Sequence, residues 1–375
     1  MAGSSAVTLF VDPLTYHLER DALFDARNTP RSGERILEPY VHLRNWLAER
    51  GVATHTGDML ASGSVPPADL NLYATMGIRS RYAQFARRPD TVLSAFFVNE
   101  CPIVEPRLFG GLPDASRSFR RMFSFAGDEA MQPFLPEPIS FRPFRYPYPF
   151  DSVIETAWRK EDRGFLAIIN GNKVPRLQTE ELYSERLRAI AFFEGHGEID
   201  LYGVGWDGPP FRVGETRMPR SLRRLAYLAE RSWDRARPAS DPLLASARRA
   251  YRGPVESKSS TLSRYAFAIC FENMAMQGWV TEKIFDCLVA GTIPVYLGAP
   301  DIEDCVDPEC FVDMRRFSGY DELRAHLHGL SPAEVRAYRE AGREYFTSPQ
   351  FRPFTKHAFA EIFGRIVAED AGVAV

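Results

Sequence analysis

No stretch of the 375 residues stays apolar for the ~18 positions that a membrane-spanning helix needs, so no transmembrane segment is expected. The opening MAGSSAVTLFVDPL lacks a basic start followed by a long apolar run, so no secretory signal is expected either. Charge of one sign is also missing: the formal net charge is −3, which argues against wholesale nucleic-acid binding. Cysteines number only five, an odd count, and none of the seven asparagines opens an Asn-x-Ser/Thr acceptor triplet. Both features point to a reducing cytoplasm. Cys305 and Cys310 have four residues between them, which fits no common zinc spacing, and His326 and His328 would diverge on a helix. No metal and no cofactor is therefore expected. Lysine is scarce as well. It stands only at 160, 173, 258, 283 and 356, so arginine supplies the other 41 of 46 basic side chains. That looks like a compositional bias, and it makes each retained lysine a little more informative.

What is present is ordinary globular material, 45% apolar and 25% charged, long enough for two domains. AVTLFVD, DLNLYAT, TVLSAFFVNE and RMFSFAG read as short strands. Between them Pro39 suits a first helical turn, Tyr40, Leu43 and Leu47 share a face, and Gly51 can close that helix. Six prolines between 133 and 149 deny that stretch a helix or a central strand, and it reads as an inter-domain linker. Alternation then restarts: GFLAIING (strand), TEELYSERLRAIAFFEGHG (helix), IDLYGVGW, YAFAICFEN (strands), TEKIFDCLVAG (helix), TIPVYLG and CFVDMRRF (strands). Strands alternating with helices imply parallel sheets in doubly wound α/β domains. The expected division is residues 1–145, residues 151–345 and a helical tail over 346–375.

The segment from Tyr265 to Pro300 carries the chemistry. It is mostly apolar, yet Glu272 and Asn273 follow its strand directly, and Glu282 and Lys283 open its helix. Thr281 is positioned as the N-cap of that helix. A helix start offers unpaired N–H groups and the positive end of a dipole, so it attracts anions. Lys283 adds a cation suited to phosphate. Glu282 repels phosphate but can accept hydrogen bonds from a ribose diol. Phosphate and sugar hydroxyls at one helix start, beside the carboxyl end of a parallel strand, describe a nucleotide site. The alternative is a solvated first turn in which Glu282 merely complements the dipole. Glu272 and Asn273 weigh against it, since buried groups of this kind either face the same crevice or find partners inside.

CFEN followed by GWVTEKIFDCLVAGTIPVYLGAPDIED resembles the signature of the α1,3/4-fucosyltransferases, glycosyltransferase family ten. The pattern spans some thirty residues in the right order and spacing, and weaker similarity runs from TVLSAFFVNECP onward. The resemblance implies a GT-B fold, with two Rossmann-like domains facing across a cleft and GDP-fucose held by the C-terminal one. It also implies inverting, metal-independent transfer of L-fucose. By position, Lys283 would meet the pyrophosphate and Glu282 the ribose, while Asn273 and Trp279 would line the donor pocket; Glu272 and Thr281, at the same strand end and helix start, are counted with the donor-binding candidates. Trp279 stands where the family often has tyrosine. In INGNKVPRLQTEELYSERLRAI, Arg186 matches the family's phosphate-binding arginine, and Lys173 competes for that role. NECP resembles the Glu-Ser-Pro that carries the family's proposed base, which makes Glu100 the candidate; Glu105 is its rival, and capping of the next turn is its structural alternative. Asp128 receives no role.

GVGWDG (203–208) satisfies Gly-x-Gly-x-x-Gly after a strand, but Pro209 and Pro210 follow where that motif needs a helix, so it reads as a turn. Residues 212–252 hold eleven arginines against four acids. A solvated helical surface explains them first, and a peripheral landing patch for anionic lipid or a lipid-linked acceptor second. The expected partners are a nucleotide-sugar donor and a saccharide or lipid-linked glycan acceptor. A transferase using another nucleotide sugar, or a catalytically silent relative, remain the alternatives.

Overall fold

The computed structural model describes residues 7–13, 15–29, 34–77, 81–214, 225, 228–230, 232 and 241–372. They form two compact units, the first comprising Met1–Pro102, Arg107–Asp151 and Arg352–Val375, the second Ile103–Pro106 and Ser152–Phe351.

The first unit is built on a six-stranded sheet: β1 (Val7–Asp12), β2 (Ala53–Thr56), β3 (Leu70–Thr75), β4 (Thr91–Val98), β5 (Met122–Ser124) and β6 (Arg142–Pro143). Every pairing is parallel, in the order β2-β1-β3-β4-β5-β6. β1 is buried along its whole length, as a parallel strand covered on both faces must be. Helix α1 (Glu38–Ala48) opens on Pro39 and buries Tyr40, Leu43 and Leu47. After it the chain turns through Gly51 at φ +76°, a left-handed conformation that glycine adopts without cost.

The second unit carries β7 (Gly164–Ile169), β8 (Lys173–Pro175), β9 (Ile199–Tyr202), β10 (Phe211–Val213), β11 (Tyr251–Gly253), β12 (Tyr265–Phe271), β13 (Ile293–Leu297) and β14 (Val312–Asp313). β8 and β10 form a two-stranded ribbon; the rest make a parallel sheet ordered β11-β9-β7-β12-β13-β14. Counted within that sheet, the strand order is 3-2-1-4-5-6, which reverses between β7 and β12. Helices α2 (Tyr183–Gly195), α3 (Lys258–Leu262) and α4 (Glu282–Val289) flank it. Gly203–Gly208 is a turn, as expected: Gly203 at φ +131° leaves no room for a Cβ, which would stand 2.0 Å from the Asn170 carbonyl.

Three expectations need correction. The proline-rich stretch is no linker but part of the first unit. Phe144 N–H donates to Ser124 O (2.9 Å), and Phe144 and Tyr148 are buried, because aromatics between the prolines find the core even where proline bars regular structure. The tail is not separate either. Its last helix, α5 (Lys356–Ala371), packs Phe359, Phe363, Ile366 and Val367 into the first unit's core, and Arg121 pairs with Glu369 (2.6 Å) and Asp370 (2.9 Å). The strand expected over CFVDMRRF shrinks to Val312–Asp313, because the Asp313 carboxylate accepts the Arg315 N–H (2.9 Å) and turns the chain. Most of the arginine-rich segment lies outside the described residues.

Candidate functional site

In an open α/β sheet, ligands bind outside the carboxyl ends of the strands where the strand order reverses. In the second unit that point lies beyond Ile169 of β7 and Phe271 of β12. Glu272 and Asn273 occupy it, as the sequence places them.

Glu272 is wholly buried. Its Oε1 accepts from the Thr281 N–H (2.8 Å) and hydroxyl (2.9 Å), and its Oε2 from Thr281 Oγ1 (2.8 Å) and Lys283 Nζ (3.0 Å). The carboxylate is therefore spent inside the protein, and its role is to fix the entry of α4 rather than to touch a donor. Thr281 precedes the helix, but its hydroxyl serves Glu272 and Lys283 (2.8 Å) and caps no N–H. The first turn of α4 thus carries no side-chain cap, which keeps its backbone donors directed at whatever enters.

From Glu272 a chain of alternating charges runs outward. Lys283 Nζ lies 3.0 Å from Glu272 and 3.9 Å from Glu282 Oε1; Lys258 Nζ, from α3, lies 3.7 Å from that same oxygen and 2.6 Å from Asp286 Oδ2. Burial alone would push the Lys283 pKa down, but Glu272 and Glu282 hold it above the ordinary lysine value. Lys258 is raised in the same way: burial opposes, and Asp286 and then Glu282 prevail. Burial would raise Glu282, but Lys283 and Lys258 lower it to about 2. Glu282 is the most exposed member, at 47%.

Arg186 stands early in α2 and is buried. Its Nε (3.0 Å) and Nη2 (2.7 Å) both donate to Phe271 O, and Nη2 also to Asn273 Oδ1 (3.0 Å). That edge of the guanidinium ties α2 to the end of β12 and is engaged within the unit. Burial lowers its pKa from the ordinary value. Asn273 is bound on the other side too, its carbonyl accepting Leu182 N–H (3.0 Å). Trp279 is buried within the loop before α4 rather than presenting an open ring face. Lys173 is exposed on β8, in register with Phe211 of β10, in the ribbon outside the main sheet. In the first unit, Glu100 lies just past the end of β4 and its Oε1 accepts the Cys101 N–H (2.9 Å). Asp128 is used structurally, accepting from Phe141 N–H (2.7 Å) and Ser140 Oγ (3.0 Å).

Sequence reasoning brought Glu272, Asn273, Thr281, Glu282, Lys283 and Arg186 to one place and missed Lys258 and Asp286. The rarity of lysine was the one signal for Lys258; nothing in the sequence singled out Asp286.

Comparison with known proteins bears on this same segment. Residues 245–356 match the family "Glycosyltransferase family 10 (fucosyltransferase) C-term". The alpha-(1,3)-fucosyltransferase FucT of Helicobacter pylori is 40% identical over 76 residues, which is 20% of this chain and 16% of that protein. An alpha-(1,4)-fucosyltransferase of Arabidopsis thaliana is 35% identical over 86 residues, 22% of this chain and 21% of that one. The match thus spans about a fifth of the length of these relatives or less. Among solved structures, a sucrose-phosphate synthase from Thermosynechococcus elongatus aligns with a TM-score of 0.52, covering 97% of this chain and 98% of that chain at 11% identity. The shared fold is GT-B, with two parallel α/β units, as the sequence led us to expect.

Proposed function

We propose, from the match of residues 245–356 to glycosyltransferase family 10, that the chain transfers L-fucose from GDP-fucose to a hydroxyl of a glycan or lipid-linked saccharide, with inversion and in α-1,3 linkage. The observation that carries the proposal is the charge ladder at the carboxyl end of β12, which sets an ammonium and an ionised carboxylate side by side on an uncapped helix start. In this reading the β-phosphate meets Lys283 and the first-turn N–H groups of α4, and the ribose meets Glu282. Arg186 contributes through the nitrogen not engaged with Phe271 and Asn273. No metal takes part.

In the transfer, the acceptor oxygen attacks the anomeric carbon from the face opposite the diphosphate. Its proton passes to the Glu100 carboxylate, the bond from carbon to phosphate oxygen breaks, and GDP departs with the electron pair. Fixed positive charge at the departing oxygen lowers that barrier, and a carboxylate with one oxygen steadied by Cys101 N–H suits the base. The five cysteines are all buried. Among the described residues no helix is long and apolar enough to cross a membrane.

Ribose and phosphate contacts are common to all nucleotide sugars, so the donor is tested directly. Purified protein is titrated with GDP-fucose, GDP-mannose, UDP-glucose and their free diphosphates, followed by melting temperature and calorimetry. GDP-fucose and GDP are expected to raise the melting temperature. Stabilisation by UDP-glucose in their place would assign another donor, and no response to any of them would leave a silent relative. Glu100→Gln is expected to bind GDP-fucose as tightly as the unaltered protein and to turn over on the order of 10²–10⁴-fold more slowly, the range of a lost general base. Equal loss of binding and rate would remove Glu100 from the chemistry.

A further inference from the structure

The ladder extends further than nucleotide binding through Lys283 requires, and its outer end has a geometry of its own. Both ammonium groups approach the same oxygen of Glu282: Lys258 Nζ at 3.7 Å and Lys283 Nζ at 3.9 Å from Oε1. At these distances the two cations act on the carboxylate by charge, while its hydrogen bonds come from its own backbone N–H and the Thr281 hydroxyl. Lys258 is itself anchored at 2.6 Å by Asp286, which lies one turn beyond Glu282 on α4. It projects from the first position of α3, whose start is set by the Ser257 hydroxyl accepting Ser260 N–H (3.1 Å). Exposure peaks at Glu282, 47% against 0% for Glu272, 23% for Lys283 and 25% for Lys258, so the ladder presents this carboxylate to solvent.

We propose that Lys258 and Asp286 are positioning residues that aim Glu282 at a vicinal diol, and that through them the site prefers ribonucleotides to their deoxy counterparts. The inference rests on the nucleotide reading of the site and goes beyond it in assigning these two residues. A carboxylate is the natural partner of a diol, because it accepts two hydrogen bonds and both hydroxyls can donate. It accepts them best when ionised, and the two ammonium groups beside it favour that state. A first-turn acid that merely complements the helix dipole needs no ammonium from a second helix. A Lys258–Asp286 pair that only tied α3 to α4 would affect stability and leave nucleotide preference untouched.

The test is the ratio of affinities for GDP and 2′,3′-dideoxy-GDP, measured by calorimetry on the full chain. The unaltered protein is expected to favour GDP by on the order of 30-fold, the worth of charge-assisted hydrogen bonds to two hydroxyls. Lys258→Met should bring the ratio below about 5-fold while binding dideoxy-GDP nearly as well as before. Lys258→Arg should restore the preference, and Asp286→Asn should reduce it to an intermediate ratio. Should Lys258→Met fail to fold, Asp286→Asn carries the test alone. Equal weakening of both nucleotides, or an unchanged ratio, overturns the proposal, as does an unaltered protein that shows no preference. If GDP fails to bind but another nucleoside diphosphate binds, the donor assignment falls, and the same ratio on that nucleotide decides the inference separately. If no nucleoside diphosphate binds, both fall.

Discussion

The two units each bury a carboxylate beside the reversal in strand order, and they use it in opposite ways. In the first unit the reversal lies between β1 and β3, where Asp12, wholly buried, accepts from the Tyr73 hydroxyl and from Arg81 N (2.7 Å) and Nη1 (3.1 Å), while Arg81 also pairs with Glu19. Burial raises the Asp12 pKa against the pull of Tyr73 and Arg81. The partners end at Glu19, which is 24% exposed. In the second unit Glu272 begins a chain that runs through Lys283 to half-exposed Glu282 and on to Lys258 and Asp286. A buried acid at a strand end therefore says little about function by itself. What separates the two is whether the partners lead back into the unit or out to a group that a ligand can reach.

The sharpest way to break this comparison is to remove each acid. Glu272→Ala leaves Lys283 without its nearest counter-ion and the Thr281 N–H without its acceptor. It is expected to cost about 3 kcal/mol, the lower range for breaking a buried pair, since Lys283 retains Glu282 and some solvent. Nucleotide binding should be lost with it. Asp12→Ala should cost a comparable amount, read from the midpoint of urea unfolding, yet leave GDP affinity within about 2-fold, a change of less than half a kcal/mol. If Asp12→Ala abolished binding as well, the distinction between the closed cluster and the open ladder would be wrong.

A gentler pair of changes targets the glycines packed against these acids. A Cβ on Gly57 would stand 2.2 Å from Asp12 Oδ1, and one on Gly298 would stand 2.6 Å from Glu272 Cγ and 2.5 Å from the Tyr296 hydroxyl oxygen. Either alanine forces a shift costing roughly 1–3 kcal/mol, as overpacking does. Only Gly298→Ala should also weaken GDP, because displacing Glu272 moves Thr281 and Lys283 with it. Calorimetry on the two variants reads that difference, and equal GDP affinities would sever Glu272 from the site.

Much of the ladder was legible in the sequence because it is local. Glu272, Thr281, Glu282 and Lys283 lie within twelve positions, on a strand end and a helix start whose apolar runs are plain. What escaped was long-range. Lys258 reaches Asp286 across 28 positions, and α5 returns to pair with Arg121 across some 250, and no local pattern encodes either meeting. Proline likewise announced where a helix could not form around 133–149 but was silent on where Phe144 and Tyr148 would pack. The direction of the Glu272 carboxylate, inward to Thr281 rather than outward to a ligand, needed the fold to decide it.

The smallest expected effect concerns protonation, and it probes the outer end of the ladder alone. Glu282 has its pKa lowered to about 2 from the ordinary 4.5, with burial opposing and Lys283 and Lys258 prevailing. A depressed carboxylate contributes stability that is fully present above the ordinary value and is lost as the pH falls toward the folded one. Glu282 should therefore stay charged between about pH 6 and 4, and GDP affinity should show no step from it in that range. Lys258→Met removes one of the two cations, which moves the titration upward toward the range of a free carboxylate. A loss of GDP affinity should then emerge as the pH approaches 4, while dideoxy-GDP, which offers Glu282 no hydroxyl, should show none. Carboxyl-carbon chemical shifts of Glu282 in the two proteins read the titration directly, and coincident curves would mean that Lys258 does not hold the charge on this carboxylate.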